Sequence, residues 1–229
     1  MARNVAVAGE QAAPSLPEWE ALRADLAKYY RIAYGTEAPT LRERLRLWLT
    51  SSGFHCVAVH RLGELSWRLK GERPVAWLLC GGLFHALDLA VNLVHHVDIA
   101  ARVGPGFYIG HPSTIYIGET RIGRNFSVTH NVTIGLGQSR GKEGLPAIGD
   151  DVWIGTGSIV YGDIQVGDGA TIASGTVLSK SVPPRALVGG NPGRVLASDY
   201  DNGQLLADRS RGPRAPDPSP NGEPRPTTR

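Results

Sequence analysis

IGDDVWIGTGSIVYGDIQVGDGATIASGTVL, residues 148–178, decides the fold. Ile148, Ile154, Val160, Val166, Ile172 and Leu178 recur at every sixth position. Four of them are followed by glycine (IGDDVW, IGTGSI, VGDGAT) or by a small or aromatic residue and then glycine. A helix spreads its apolar residues at steps of three and four, and a lone strand alternates them, so neither fits. A strict six-residue period is the mark of a solenoid. Working backwards, the series continues through Ile134, Val128 and Ile122, gains one residue, and runs on through Ile115, Ile109, Val103 and Val97. The step from Ile134 to Ile148 is fourteen, so a loop bulges out there while the phase is nearly kept.

Three hexads make one turn of a parallel β-helix. Each aliphatic residue points inward and stacks on its counterpart one coil away, at a spacing of about 4.8 Å. Glycine and small residues fill the corners. A rod of this kind has open ends and flat faces, which calls for caps and for association between copies. The sequence therefore predicts an α+β protein in four parts: a loose tail over 1–14, an α-helical region over 15–96, a β-helix over 97–198, and a disordered tail over 199–229. That last segment is rich in Pro and Gly and balances five Arg against five acidic residues.

Helical spacing dominates the first hundred residues. LPEWEALRADLAKYYRIAY (16–34) places Leu22, Leu26, Tyr29 and Tyr30 on one side. Pro39 can open the next helix, TLRERLRLWLT (40–50), with Leu41, Leu45 and Trp48 aligned. Gly53 is read as the break before FHCVAVHRLGELSWRLK (54–70). PVAWLLCGGLFHALDLAVNLV (74–94) is long enough to cross a bilayer, but it carries His85, Asp88 and Asn92. It reads as a helix buried within the protein or against a sister subunit.

Composition narrows the function. A formal charge of +3 on 229 residues, with no Lys/Arg run, gives no nucleic-acid footprint. Two isolated cysteines, Cys56 and Cys80, suggest neither a disulfide framework nor a cysteine-based zinc site. The N-terminal stretch MARNVAVAGEQAAP lacks the apolar core of a secretory signal, so the expected location is the cytoplasm.

Four segments carry a resemblance. SSGFHCVAVHRLGELSW (51–67) is similar to a "GFHA…HR…W" helix, and VDIAARVGPGFYIGHPSTIYIGET (97–120) to "DIHPAAKIGRG…DHATGIVVGET". SVTHNVTIGLG (127–137) resembles "SILQSVTLGG", and SVPPRALVGGNPGRVL (181–196) resembles "PVPPHTTAAGVPARIV". Together with the hexads they resemble the hexapeptide-repeat acyltransferases, left-handed parallel β-helices, and within them the serine O-acetyltransferases.

The resemblance implies transfer of an acetyl group from acetyl-CoA to a small hydroxyl acceptor, L-serine by default, within cysteine biosynthesis. It implies a homotrimer or dimer of trimers, and neither a metal, a nucleic acid nor a membrane as partner. His111 falls on the family's catalytic histidine, a general base. Asp98 falls on the aspartate that orients that histidine, although two residues are missing between VDI and AARVG. Glu119 belongs to the same motif. Gly135, Gly137, Thr156 and Ser174 would lie near acetyl-CoA, with Lys180 and Arg194 near its phosphates.

Three departures concern the grip on the acceptor. Gly110 stands where the family has Asp, Leu145 where it has a second His, and Ala38 where it has Asp before Pro39. These favour a sugar or specialised-metabolite hydroxyl as the alternative acceptor. His130 stands where the serine enzymes typically have Gln. It lies two residues past Val128, as His111 lies two past Ile109, so the two should be stacked about one coil apart. His130 could supply the second imidazole that Leu145 lacks. A γ-carbonic-anhydrase-like zinc enzyme on the same coil would need three converging histidines, and the coil has two.

Each residue also has a plainer role available. His111 and His130 could be solvated corner residues, Asp98 and Glu119 strand-end hydrogen-bonding groups, and the glycines coil corners. His55, His60, His85, His95 and His96 are expected in helix packing.

Overall fold

The computed structural model of the chain describes residues 17–139 and 141–206. The expected tail over 1–14 and most of that over 199–229 lie outside the described residues.

Four helices come first: α1 (Glu18–Tyr34), α2 (Leu41–Thr50), α3 (Ser52–Leu69) and α4 (Pro74–His95). Each boundary has a local cause. Gly35 closes α1 in the left-handed conformation, its N–H bonding to the Arg31 carbonyl. Thr40 and Glu43 form a capping box at the start of α2. Thr40 rather than Pro39 is thus the cap. The break before α3 is Ser51, which caps it, and Gly53 lies inside the first turn. Gly53 is needed there for contact, since a Cβ would run into the Ile109 carbonyl oxygen.

The coil follows as a left-handed parallel β-helix of about five turns. The first turn is β1 (Val97–Ile99), β2 (Arg102–Val103) and β3 (Tyr108–Ile109). The second is β4 (Ile115–Ile117), β5 (Arg121–Ile122) and β6 (Ser127–Val128). The third begins with β7 (Thr133–Gly135), throws out the hairpin β8 (Gly137–Ser139) and β9 (Lys142–Gly144), and resumes with β10 (Ala147–Ile148) and β11 (Trp153–Ile154). The fourth is β12 (Ile159–Tyr161), β13 (Gln165–Val166) and β14 (Thr171–Ile172). The last has β15 (Val177–Leu178) and β16 (Leu187–Gly189), against which β17 (Arg194–Ala197) runs antiparallel.

Three sheets result. The first face is β1-β4-β7-β12-β15, the second β2-β5-β10-β13, and the third β3-β6-β11-β14-β16 with β17 at its edge. All thirteen aliphatics of the hexad series are buried. A second inward position lies two residues before every member of the series except Val97 and Ile115. On the third face it forms a column of Phe107, Phe126, Val152, Ala170 and Ala186, all fully buried, which tapers from large to small away from the helices.

The helices cover the wide end of this taper. Here α1 departs from a simple apolar stripe, because Asp25 and Lys28 are fully buried beside Tyr29. Asp25 pairs with Arg61 of α3 at 2.8 and 3.1 Å and accepts the Gly106 and Phe107 N–H groups, both at 2.7 Å. Arg61 donates to the Val103 and Gly104 carbonyls. Lys28 Nζ donates to the carbonyls of Gly106, Asn125 and Phe126 at 2.8–3.2 Å.

One expectation is corrected. Leu41, Leu45 and Trp48 of α2 are exposed, and Leu47 is the residue that packs inward. Helix α4 packs on α3, but none of its residues is buried within this chain. It is the one helix among the described residues long and apolar enough to cross a membrane. Past residue 198, Asn202 and Leu206 are buried, and Asn202 Nδ2 donates to the Asp151 and Gly169 carbonyls.

Burial lowers the Lys28 pKa to about 7, with Arg31 adding to the shift. The unfolded chain keeps this amine protonated to about pH 10.4, so between these values the unfolded state binds the extra proton. Stability must then rise with pH from about 7 upward, by on the order of 1 kcal/mol per pH unit from this group. Urea unfolding of wild type and Lys28→Met at pH 7, 8 and 9 should show that slope in the wild type alone. Equal slopes would rule the assignment out.

Candidate active site

Strand pairing fixes what shares a corner. Ile109 pairs with Val128, Val128 with Ile154, and Ile154 with Ile172. Two residues past each, at the corner between third and first faces, come His111, His130, Thr156 and Ser174. They form one polar column along the coil axis, with coils about 4.8 Å apart. Arg194, exposed, lies beside Gly189 near the end of this column.

His111 is exposed, and its backbone is left-handed, with φ of 58°. In the next three coils the left-handed residue comes one place later, at Asn131, Gly157 and Gly175. In the first coil that place is Pro112, whose ring fixes a negative φ, and His111 takes the left-handed turn instead. A non-glycine residue in this region stores strain. The strand leading to it is held from outside. The Tyr29 hydroxyl donates to the Ile109 carbonyl at 3.1 Å and accepts the Ile109 N–H at 3.0 Å. Gly53 presses on the same carbonyl.

The His130 ring stands 6.4 Å from that of His111, centroid to centroid, at 82°. Its corner is braced by the Thr156 hydroxyl donating to that of Thr129 at 3.0 Å, and by Gly157 N–H donating to the His130 carbonyl.

The other expected site residues lie elsewhere. Ile117, Ile134, Val160 and Leu178 pair in sequence on the first face. Two past each, at the opposite corner, stand Glu119, Leu136, Gly162 and Lys180. Gly135 and Gly137 are at this edge too, and a Cβ on Gly137 would collide with Tyr161. Leu145 leans over Gly118 there. The first face separates the two edges. Asp98 lies on it, beside Tyr116, in a groove with Asn92, His96, Thr114 and Thr133. Among the described residues no hydrogen bond joins Asp98 to His111. The charge that feels it is Asp88 of α4, whose pKa is raised by burial and then by Asp98.

Sequence reasoning missed Tyr29, Asp25, Lys28 and Arg61 as supports of the site. The HR of the 51–67 motif was the available signal for Arg61. Nothing in the spacing of α1 sets Asp25 and Lys28 apart from solvent-facing residues. Cys56 is buried, and burial pushes its thiol up to about 12, which removes it as a nucleophile. Among the described residues no group of three or more His, Cys, Asp or Glu could hold a metal ion.

The bacterial transferase hexapeptide family (six repeats) matches residues 146–180. A serine acetyltransferase of Escherichia coli K12 is 32% identical over 181 residues, covering 77% of this chain and 63% of the relative. The crystal structure of the Brucella abortus strain S19 serine acetyltransferase in complex with coenzyme A is 30% identical, with a TM-score of 0.62, covering 81% of this chain and 70% of that one. That of the Neisseria gonorrhoeae serine acetyltransferase in complex with serine is 30% identical, with a TM-score of 0.61, covering 79% and 69%. The chain belongs to the serine acetyltransferase family. It spans 63% of the length of the Escherichia coli member.

Two predictions follow from the hold on His111. His111→Gly should leave the unfolding midpoint unchanged or raised, while His111→Val should lower stability by about 1–3 kcal/mol, because a β-branched residue resists positive φ. Matched midpoints for the two variants would show that the corner stores no strain. Tyr29→Phe should cost about 1–3 kcal/mol by leaving buried Ile109 groups unpaired. Amide exchange at Ile109 reads this directly, and unchanged protection would refute it.

Proposed function

We propose that the chain is an acetyl-CoA-dependent O-acetyltransferase with His111 as general base and L-serine as the first acceptor to test. The observation that carries the reading is the place of His111: exposed, on a rigid corner, heading a column with Thr156 and Ser174. Family membership and relatives described with coenzyme A and with serine support it. A ring nitrogen of His111 takes the acceptor O–H proton as that oxygen attacks the thioester carbonyl. The carbon–sulfur bond then breaks, and the same proton passes to the leaving thiolate. No covalent acyl-enzyme is required, in keeping with the buried, unreactive Cys56.

Thr156, Ser174 and Arg194, on the His111 edge, would line the acetyl-CoA groove. Gly135, Gly137 and Lys180 stand across the first face. A homotrimer or dimer of trimers would be the way to bring the edges of different copies together. The exposed apolar residues of α4 and of the first face, Tyr116 and Ile159, are consistent with such packing.

The second acceptor class keeps support from three positions. A side chain at Gly110 would come within 3.2 Å of the Tyr108 ring, Leu145 packs on Gly118, and Ala38 is exposed in the turn before α2. None offers a charge to an amino acid.

The deciding experiment is release of free thiol from acetyl-CoA, with L-serine beside a panel of amino-acid and sugar alcohols. Serine-dependent release, cut by about 10²–10⁴-fold in His111→Ala, is the expected result. Release with another alcohol alone moves the assignment to the second class. Full activity in His111→Ala overturns the base.

A further inference from the structure

His130 is a candidate for more than a corner residue. Its ring is half-buried, and its Nδ1 is fully buried with no hydrogen-bond partner. Orphaned buried N–H groups are rare and costly, whereas a buried lone pair is tolerated more easily. We therefore assign the ring proton to Nε2, leaving Nδ1 as the bare nitrogen against the coil. Nε2 is not among the buried orphan atoms, so the N–H faces the open side of the corner.

At 6.4 Å between centroids the two histidine rings are too far apart to hydrogen-bond each other. The gap suits a small reacting group held between them, with each ring bonded to a different oxygen at about 2.8 Å. His111 takes the oxygen that attacks. The other oxygen in reach of a transferring acyl group is that of its carbonyl.

Resting on the acetyl-transfer reading, we propose that His130 donates its Nε2 hydrogen to the thioester carbonyl oxygen and stabilises the negative charge that develops there. A donor fixed in advance at the site of developing charge is among the strongest single contributions to catalysis. The position is preorganised by the Thr129–Thr156 hydroxyl bond and by the Gly157 N–H bond to the His130 carbonyl, so little motion is needed as charge builds. The donor need not be an imidazole. An amide N–H on a side chain of similar reach does the same work, so glutamine is the conservative replacement.

The test is steady-state kinetics of wild type, His130→Gln and His130→Leu on the best acceptor found. His130→Leu should lower kcat by about 10²–10³-fold, the loss expected for one such donor. KM for both substrates should stay near the wild-type value, as should coenzyme A binding measured by calorimetry. His130→Gln should recover most of the lost kcat, and the acid limb of the pH profile should be the same in all three proteins. A kcat unchanged in His130→Leu, a loss confined to KM, or equal damage in both variants overturns the proposal. Ring ¹⁵N NMR reads the tautomer without turnover, and a proton on Nδ1 overturns it as well. A wild-type protein silent with every acceptor counts against the acetyl-transfer reading instead, and the ring spectrum then judges His130 as a donor.

Discussion

The first coil of a parallel solenoid has no coil beneath it, so its backbone N–H and C=O groups face open space unless something else bonds them. Here side chains of α1 and α3 meet them one by one. Asp25 takes two N–H groups, Tyr29 takes one and gives one, and Arg61 and Lys28 between them reach the carbonyls of Val103, Gly104 and Gly106. Four charged or polar residues are thereby buried in a small helical region. Such groups are stable inside a protein only when their bonds are complete. The pairing of Asp25 with Arg61 and the three carbonyls around Lys28 meet that condition. The cap and the coil end therefore specify each other, which an apolar plug would not do with the same precision of register.

The consequence for the site is mechanical. The cap reaches Ile109 directly, through two hydrogen bonds to Tyr29 and the close approach of Gly53, and His111 is two residues further on. A residue in a strained backbone conformation persists only where its surroundings over-determine it. The cap supplies that determination. The helical region is thus part of what aims the imidazole, although it contributes no side chain to the corner column.

The coil was legible because its constraint is local and repeated. Each inward aliphatic stacks on an equivalent one, so the period survives in the sequence, and all thirteen marked positions are buried. The second inward position was harder to see, because its occupants range from Phe107 to Ala186 and serve the taper rather than a fixed type. The stacking of His111 on His130 followed from the same period and is found. The helices were legible as helices but not in their facing. Asp25 and Lys28 look like solvent residues until one knows that the surface opposite them is a row of backbone groups. For α2, spacing marked Leu41, Leu45 and Trp48, but Leu47 is the residue that is buried, while Trp48 stays half exposed with its ring set edge-on to Phe54 of α3. The groups expected to act together were divided between two edges of one face, since sequence proximity in a hexad coil says nothing of which corner a residue turns.

How His111 is held bears on what can vary around it. His111 is fixed by main-chain geometry: the clamp on Ile109, the locked Pro112, and the stacked coil above. No carboxylate among the described residues hydrogen-bonds to it. A side chain oriented through its backbone does not depend on charged neighbours. Gly110, Leu145 and Ala38 can therefore differ from the family pattern without loosening the imidazole, and the first of them is shaped by Tyr108 to remain small. The hold on His111 and the three altered positions are mechanically separate in this architecture. That separation lets the residues around the corner vary while the placement of the imidazole stays constant.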